Sequence, residues 1–259
     1  MMAIDQIQKW YPDSLHRRKL DLLREYLQYE MLQALYRSKH GHRYIFLGGT
    51  CLRIAYGTER FSEDLDFDNK DLTPADFEEA VAIIQRWLER NGYEVTIRFV
   101  HKGAYYARIT LPGLLYKYDL SPHKEAKMLI KMDTEKQYYD YQPRVHTLSK
   151  FGIQNDILVT PPELLSAQKI AAVLGRKRPK GRDFYDLHWL LQQYRPDFGY
   201  LKQRLAIDDV KALRERVAGH IEHFNFDDLA RGVQAFLFNP EDVDRVRHFP
   251  TFWAEVELA

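Results

Sequence analysis

The spacing of apolar positions divides the chain into a mixed first part and a helical second part. Over residues 13–40, Leu15, Leu22, Leu23, Tyr26, Leu27, Met31, Ala34 and Leu35 recur at helical spacing with charges between them, which predicts an amphipathic helix capped by Asp13 or Ser14. The period then changes. The run Tyr44-Ile45-Phe46-Leu47 reads as a short buried strand that ends in the turn Gly48-Gly49, and a brief helix follows over 51–56. In Asp64-Leu65-Asp66-Phe67-Asp68 acid and apolar residues alternate, as on a half-buried strand. Thr73-Pro74-Ala75-Asp76 opens a helix with a capping residue, a proline at the first helical position and an acid three residues after the cap. That helix runs through Val81, Ile84 and Leu88 and stops at Asn91-Gly92. Residues 93–100 and 104–111 form a predicted hairpin with Lys102-Gly103 near its turn, and 127–133 a further strand.

After about residue 145 the strand signals fade. Thr160-Pro161-Pro162-Glu163 begins a proline-led helix that runs to Leu174-Gly175, a second helix spans about 182–193, and helical patterns cover about 208–221, 226–237 and 240–257. The expectation is an α/β part over 1–148, built on a mixed sheet flanked by helices, and an all-α part over 149–259 packed on it and closing its active site.

Composition narrows the classes of function. With 45% hydrophobic and 29% charged residues the chain is an ordinary globular sequence, and no stretch approaches the roughly 20 apolar residues of a membrane span. No apolar signal core opens the sequence, so a cytoplasmic protein is the expectation. The formal charge is +1, so any polyanion partner must be recognised by local clustering. The single cysteine, Cys51, excludes an internal disulfide framework and a cysteine-based zinc site. The ten histidines show no H-x-x-x-H pairing.

Chemistry concentrates in the acids. Asp64 and Asp66, two apart on a strand, leave the same face, and Asp68 follows on it. Paired carboxylates repel unless a cation or proton intervenes, and hard divalent ions such as Mg²⁺ combine one or two carboxylates with substrate phosphates. An exposed strand edge of alternating acids reads the same way. The context upstream favours the metal: Gly48-Gly49-Thr50 ends a strand and opens a helix fourteen residues before Asp64, a place where backbone N–H groups and a threonine hydroxyl can meet phosphate oxygens.

The segments Gly48–Thr50 and Arg60–Phe67 (G-G-T and R-F-S-E-D-L-D-F) strongly resemble the nucleotidyltransferase toxins of the AbiEii family, which are related to the MenT toxins of bacterial toxin–antitoxin and abortive-infection systems. The resemblance implies a DNA polymerase β-like core in which the glycine turn holds a nucleoside triphosphate and Asp64 and Asp66 bind Mg²⁺, with Arg60 and Ser62 in the matching loop. It also implies a third carboxylate on a later strand, for which Asp133 in Lys131-Met132-Asp133 is the first choice and Asp119 the second. The helical match carries Lys169, Arg182, Asp183 and Asp186. Lys169 sits on an otherwise apolar helix face and needs an anion, and a triphosphate would serve. Lys169 and Arg182 are then expected at the phosphates.

Between Ala167 and Arg182 stand six basic residues and no acid, among them Arg176, Lys177, Arg178 and Lys180. They read either as a dock for RNA or as a solvated interhelical loop. The activity that the resemblance implies is Mg²⁺-dependent transfer of a nucleotide from an NTP to an RNA acceptor such as the 3′ end of tRNA, by a toxin held in check by a cognate antitoxin. A transferase acting on a small molecule or a protein, and a non-catalytic interaction scaffold, are the alternatives.

Overall fold

Gly48-Gly49 does what the sequence asks of it: the strand β1 (Tyr44–Leu47) turns there without a connecting loop into the helix Gly48–Tyr56, with Gly48 at φ +79°. The structure is a computed structural model that describes residues 1–102 and 104–259. Of the expected hairpin turn Lys102-Gly103, Gly103 lies outside the described residues. The chain forms two units, one made of Met1–Ala55 and Phe61–Val159, the other of Tyr56–Arg60 and Thr160–Ala259.

The first unit is a seven-stranded mixed sheet with helices α1 (Ile4–Gln8), α2 (Lys19–Tyr36), α3 (Gly48–Tyr56, whose last residue belongs to the second unit), α4 (Pro74–Arg90) and the short α5 (Leu114–Lys117). Its strands are β1, β2 (Leu65–Asn69), β3 (Thr96–Lys102), β4 (Ala104–Leu111), β5 (Met128–Lys136), β6 (Arg144–Leu148) and β7 (Asn155–Val159), in the order β3-β4-β5-β2-β1-β7-β6. β1 runs antiparallel to β2 and parallel to β7, while β2 runs parallel to β5. The capping box at Thr73 forms as the sequence predicts: the Asp76 N–H donates to the Thr73 hydroxyl over 3.2 Å and the Thr73 N–H donates back to the Asp76 carboxylate over 2.9 Å. Phe77 of α4 packs on Phe99 and Tyr105, so α4 covers one face of the β3–β4 hairpin.

Three expectations change. The helix predicted over 13–40 is a 3₁₀ turn at Asp13–Leu15 and then α2, with Arg18 rather than Asp13 or Ser14 before its first residue. Strands continue past 145, because β6 and β7 are only five residues each and β6, at the sheet edge, leaves Val145 and Thr147 exposed, which dilutes the apolar signal. The first unit therefore extends to Val159 rather than 148.

The second unit is built from helices α6 (Pro162–Gly175), α7 (Gly181–Leu191), α8 (Phe198–Leu205), α9 (Val210–Ile221), α10 (Phe226–Gln234), α11 (Asp244–Arg247) and α12 (Phe249–Glu255) around Phe184, Leu187, Val217, Val233, Phe249 and Trp253. α8 was not legible in the sequence; its cap, Asp197 accepting from the Tyr200 N–H over 2.9 Å, follows a proline. Gly181 fits against α10 so closely that a Cβ there would lie 1.8 Å from the Leu229 carbonyl oxygen. Among the described residues no helix is long and apolar enough to cross a membrane.

His188 is half-buried at the margin of this core, with its ring centroid 4.0 Å from that of Phe252. Burial, with the Arg245 charge second, pushes it down to about 4. The unfolded chain takes up a proton below about 6.5 while the folded one resists until about 4. Stability is therefore fully present above this window and falls as the pH drops through it. Urea midpoints measured above and inside the window are expected to show that loss, and His188→Phe, which keeps the ring contact, is expected to remove this histidine's part of it.

Candidate active site

The expected site residues fall into two groups, one in each unit. In the first unit the strand alternation puts Leu65 and Phe67 in the core and leaves Asp64, Asp66 and Asp68 on the other face. The parallel pairing of β2 with β5 sets Asp66 beside Asp133 and Asp68 beside Glu135. It also brings Lys131 next to Asp64, with 3.8 Å from the Lys131 Nζ to the Asp64 Oδ2. One sheet face thus carries two adjoining columns, Asp64, Asp66, Asp68 and Lys131, Asp133, Glu135. Of the two choices for a third carboxylate, Asp133 shares this face, while Asp119 is exposed in a turn after α5 at φ +54° and belongs to no strand.

The crowding shows in proton affinity. Burial and then the Asp64 charge raise the Asp133 pKa, opposed by Lys131. Asp68 is pushed up to about 6 by burial, against the stabilising hydrogen bond of the Tyr141 hydroxyl, which donates to its Oδ2 over 2.7 Å. Tyr141 and Glu135 were missed in the sequence, since only the β2–β5 register and the fold of the following loop bring them to Asp68.

The glycine turn adjoins the acids. Leu47, the last residue of β1, pairs with Asp66, and a Cβ built on Gly48 would lie 2.5 Å from the Asp66 Oδ2. Only a residue without a side chain leaves the Asp66 carboxylate its place. Thr50 behaves differently from the expectation. Its side chain is buried and its hydroxyl donates to the Asp64 main-chain carbonyl, so it fixes the start of β2 instead of meeting a phosphate. The loop before Asp64 is held from α2: the buried Gln28 amide donates to the Ser62 carbonyl over 3.0 Å, and Arg24 stands 3.4 Å from Glu63.

Asp64, Asp66 and Asp133 are hard oxygen donors on one sheet face, the donor type that divalent ions take together with phosphate. Among the described residues no group of three or more His, Cys, Asp or Glu side chains stands together as a metal cage.

The second group is a closed charge network. Arg60 forks onto Asp186, with Nε 2.5 Å from Oδ1 and Nη2 2.6 Å from Oδ2. Lys169 lies 2.7 Å from the Asp186 Oδ2 and 3.0 Å from the Asp183 Oδ1, and the Arg176 Nε lies 2.9 Å from the Asp183 Oδ2. Burial alone would lower the Lys169 pKa, yet Asp186 and then Asp183 hold it above the usual lysine range. Burial alone would likewise raise Asp186, and Arg60 and Lys169 hold it below the carboxylate range. Lys169 and Arg60, both expected at the nucleotide, thus have carboxylates of their own unit as partners. Asp183 and Asp186 are buried, as is Arg60. Arg182 is half-buried in the first turn of α7, and Lys177, Arg178 and Lys180 are exposed before it, with Arg176 exposed but tied to Asp183.

Residues 30–249 match the family model described as the nucleotidyl transferase AbiEii toxin of type IV toxin–antitoxin systems. The chain belongs to the AbiEii nucleotidyltransferase toxin family. Solved structures agree in fold. MenT4, a nucleotidyltransferase toxin from Mycobacterium tuberculosis, is 14% identical with a TM-score of 0.60, covering 99% of this chain and 91% of its own. JHP933 from Helicobacter pylori is 16% identical with a TM-score of 0.55, covering 90% of this chain and 91% of its own. A putative nucleotidyltransferase from H. pylori is 15% identical with a TM-score of 0.54, covering 90% of this chain and 94% of its own. Among curated proteins none matches the chain. This AbiEii protein is therefore a nucleotidyltransferase toxin by family, and the family brings with it an NTP substrate and a cognate antitoxin.

Two outcomes follow. Arg60→Ala leaves buried carboxylate without its fork and is expected to cost about 3–5 kcal/mol of stability, read from urea denaturation. Gly48→Ala strains a left-handed position by about 1–3 kcal/mol and displaces the Asp66 carboxylate, so thermal stability and nucleotide transfer are both expected to fall.

Proposed function

We propose that this AbiEii toxin is a Mg²⁺-dependent transferase that moves a nucleotide from an NTP to an RNA hydroxyl, with the 3′ end of tRNA as the acceptor, on a DNA polymerase β-like core. The observation that carries the reading is the juxtaposition of three carboxylates, Asp64, Asp66 and Asp133, with the Gly48-Gly49 turn at the start of a helix. Phosphate oxygens suit the main-chain N–H groups at that helix start. A divalent cation held by Asp64 and Asp66 would neutralise the triphosphate and favour attack of the hydroxyl at its α-phosphorus, with the bond to the β-phosphate breaking and pyrophosphate leaving.

The chain's own residues supply the rest. Gly48 leaves room for Asp66, and Thr50 holds Asp64 through the main chain, so that both carboxylates stand preorganised. Asp133, whose proton affinity is raised by burial and by Asp64, is suited to take the proton of the attacking hydroxyl. In the helical unit Asp183 and Asp186 hold Lys169, and we assign them a positioning role through it. The exposed Lys177, Arg178 and Lys180 support an RNA acceptor by their charge.

Asp64→Ala is expected to abolish transfer of labelled nucleotide to RNA and to relieve the growth arrest caused by expression without the antitoxin. Transfer by the purified variant at the wild-type rate would overturn the reading. Labelling of protein or small molecules in place of RNA would move the acceptor to those classes.

A further inference from the structure

The sheet face that bears the acids continues across β4 and β3 with the opposite charge. Cross-strand pairing sets Arg108 beside Lys131 and Arg98 beside Arg108, and in the next row sets Tyr106 beside Asp133 and Val100 beside Tyr106. Reading outward from Asp64, one row runs Lys131, Arg108, Arg98 to the edge strand β3. At the usual strand spacing this is roughly 14 Å from β2. Arg98 and Arg108 are exposed, and the Arg108 guanidinium lies 5.8 Å from the centre of the half-buried Tyr106 ring. The opposite face of the same strands is the one that α4 covers through Phe77.

Like charges placed directly opposite one another on neighbouring strands destabilise a sheet. Here three cations stand in consecutive cross-strand positions, and among the described residues neither Arg98 nor Arg108 has a carboxylate within ion-pairing distance. Such a row is stabilised by a polyanion laid along it. A single point charge would satisfy one residue, whereas a chain of phosphates satisfies the row. Tyr106, which pairs with Asp133 and whose ring centre lies 5.8 Å from the Arg108 guanidinium, adds a stacking surface for a base, the second element of single-strand recognition.

We infer that this stripe, Arg98, Arg108 and Lys131 with Tyr106, is the track along which a single-stranded polynucleotide approaches the carboxylates. The inference rests on the reading of the acids as a transfer site and specifies the surface that leads to it. It is distinct from the basic run at 176–182, which belongs to the other unit.

The test uses the full chain and a fluorescein-labelled single-stranded oligoribonucleotide, followed by anisotropy over a salt series, with Mg²⁺–NTP binding measured in parallel by calorimetry. Arg98→Ala combined with Arg108→Ala is expected to weaken oligonucleotide binding on the order of tenfold and to make the salt slope shallower by about 1.4. NTP affinity should stay at the wild-type value, and the melting temperature should not fall, since the pair removes facing like charges. Arg98→Lys with Arg108→Lys should keep the slope. Tyr106→Leu is expected to weaken binding by roughly 5- to 150-fold with the slope unchanged.

Oligonucleotide affinity unchanged in the Arg98 and Arg108 pair, or NTP affinity falling in step with it, would overturn the inference; in the second case the stripe serves the triphosphate. Binding needs no turnover. A wild-type chain that binds through these residues but transfers nothing sinks the transfer reading and leaves the track standing, and full RNA transfer by the double variant sinks the track alone.

Discussion

The parallel pairing of β2 with β5 is the constraint from which the site follows. Two strands distant in sequence, each with alternating acids, are locked in a register that sets Asp66 beside Asp133 and Asp68 beside Glu135. The apolar residues between them, Leu65, Phe67, Ile130 and Met132, fix that register, because a slip by one position would drive the carboxylates into the core. Hydrophobic burial thus forces together charges that repel. Burial first, and the neighbouring carboxylates after it, raise the proton affinities of Asp133 and Asp68.

The helical unit handles charge in the opposite way. Its buried acids, Asp183 and Asp186, are matched by Lys169, Arg60 and Arg176, and every charge in that network faces one of opposite sign. A satisfied buried network specifies a conformation. The sheet acids crowd five carboxylates onto one face, with Lys131 3.8 Å from Asp64 and the Tyr141 hydroxyl on Asp68, so like charges adjoin there instead of being matched one to one. The same residue types therefore do structural work in one unit and offer chemistry in the other.

Much of this was legible in the chain. Thr73-Pro74 and the run ending at Gly48-Gly49 encode their own boundaries by local chemistry, and the alternation at Asp64–Asp68 states which way each side chain points. What escaped depended on partners remote in sequence. Nothing local to Thr50 says that its hydroxyl goes to Asp64, and nothing local to Lys169 separates a carboxylate partner from a phosphate. Strands β6 and β7 escaped because five residues at or near a sheet margin carry too little alternation to register. The row of Arg98, Arg108 and Lys131 is invisible in one dimension, since only hairpin register brings it into line.

The path of the chain has a consequence for inheritance. Tyr56–Arg60 belongs to the helical unit although sheet residues precede and follow it, and Arg60 supplies the fork that Asp186 requires. A gene fragment beginning at Thr160 would encode the helices without that arginine and without the Tyr56 hydroxyl that donates to the Thr160 carbonyl. The helical portion is therefore not a module that recombination can cut loose with one break and append elsewhere, because its chain is discontinuous and part of it is encoded upstream of the last hundred residues.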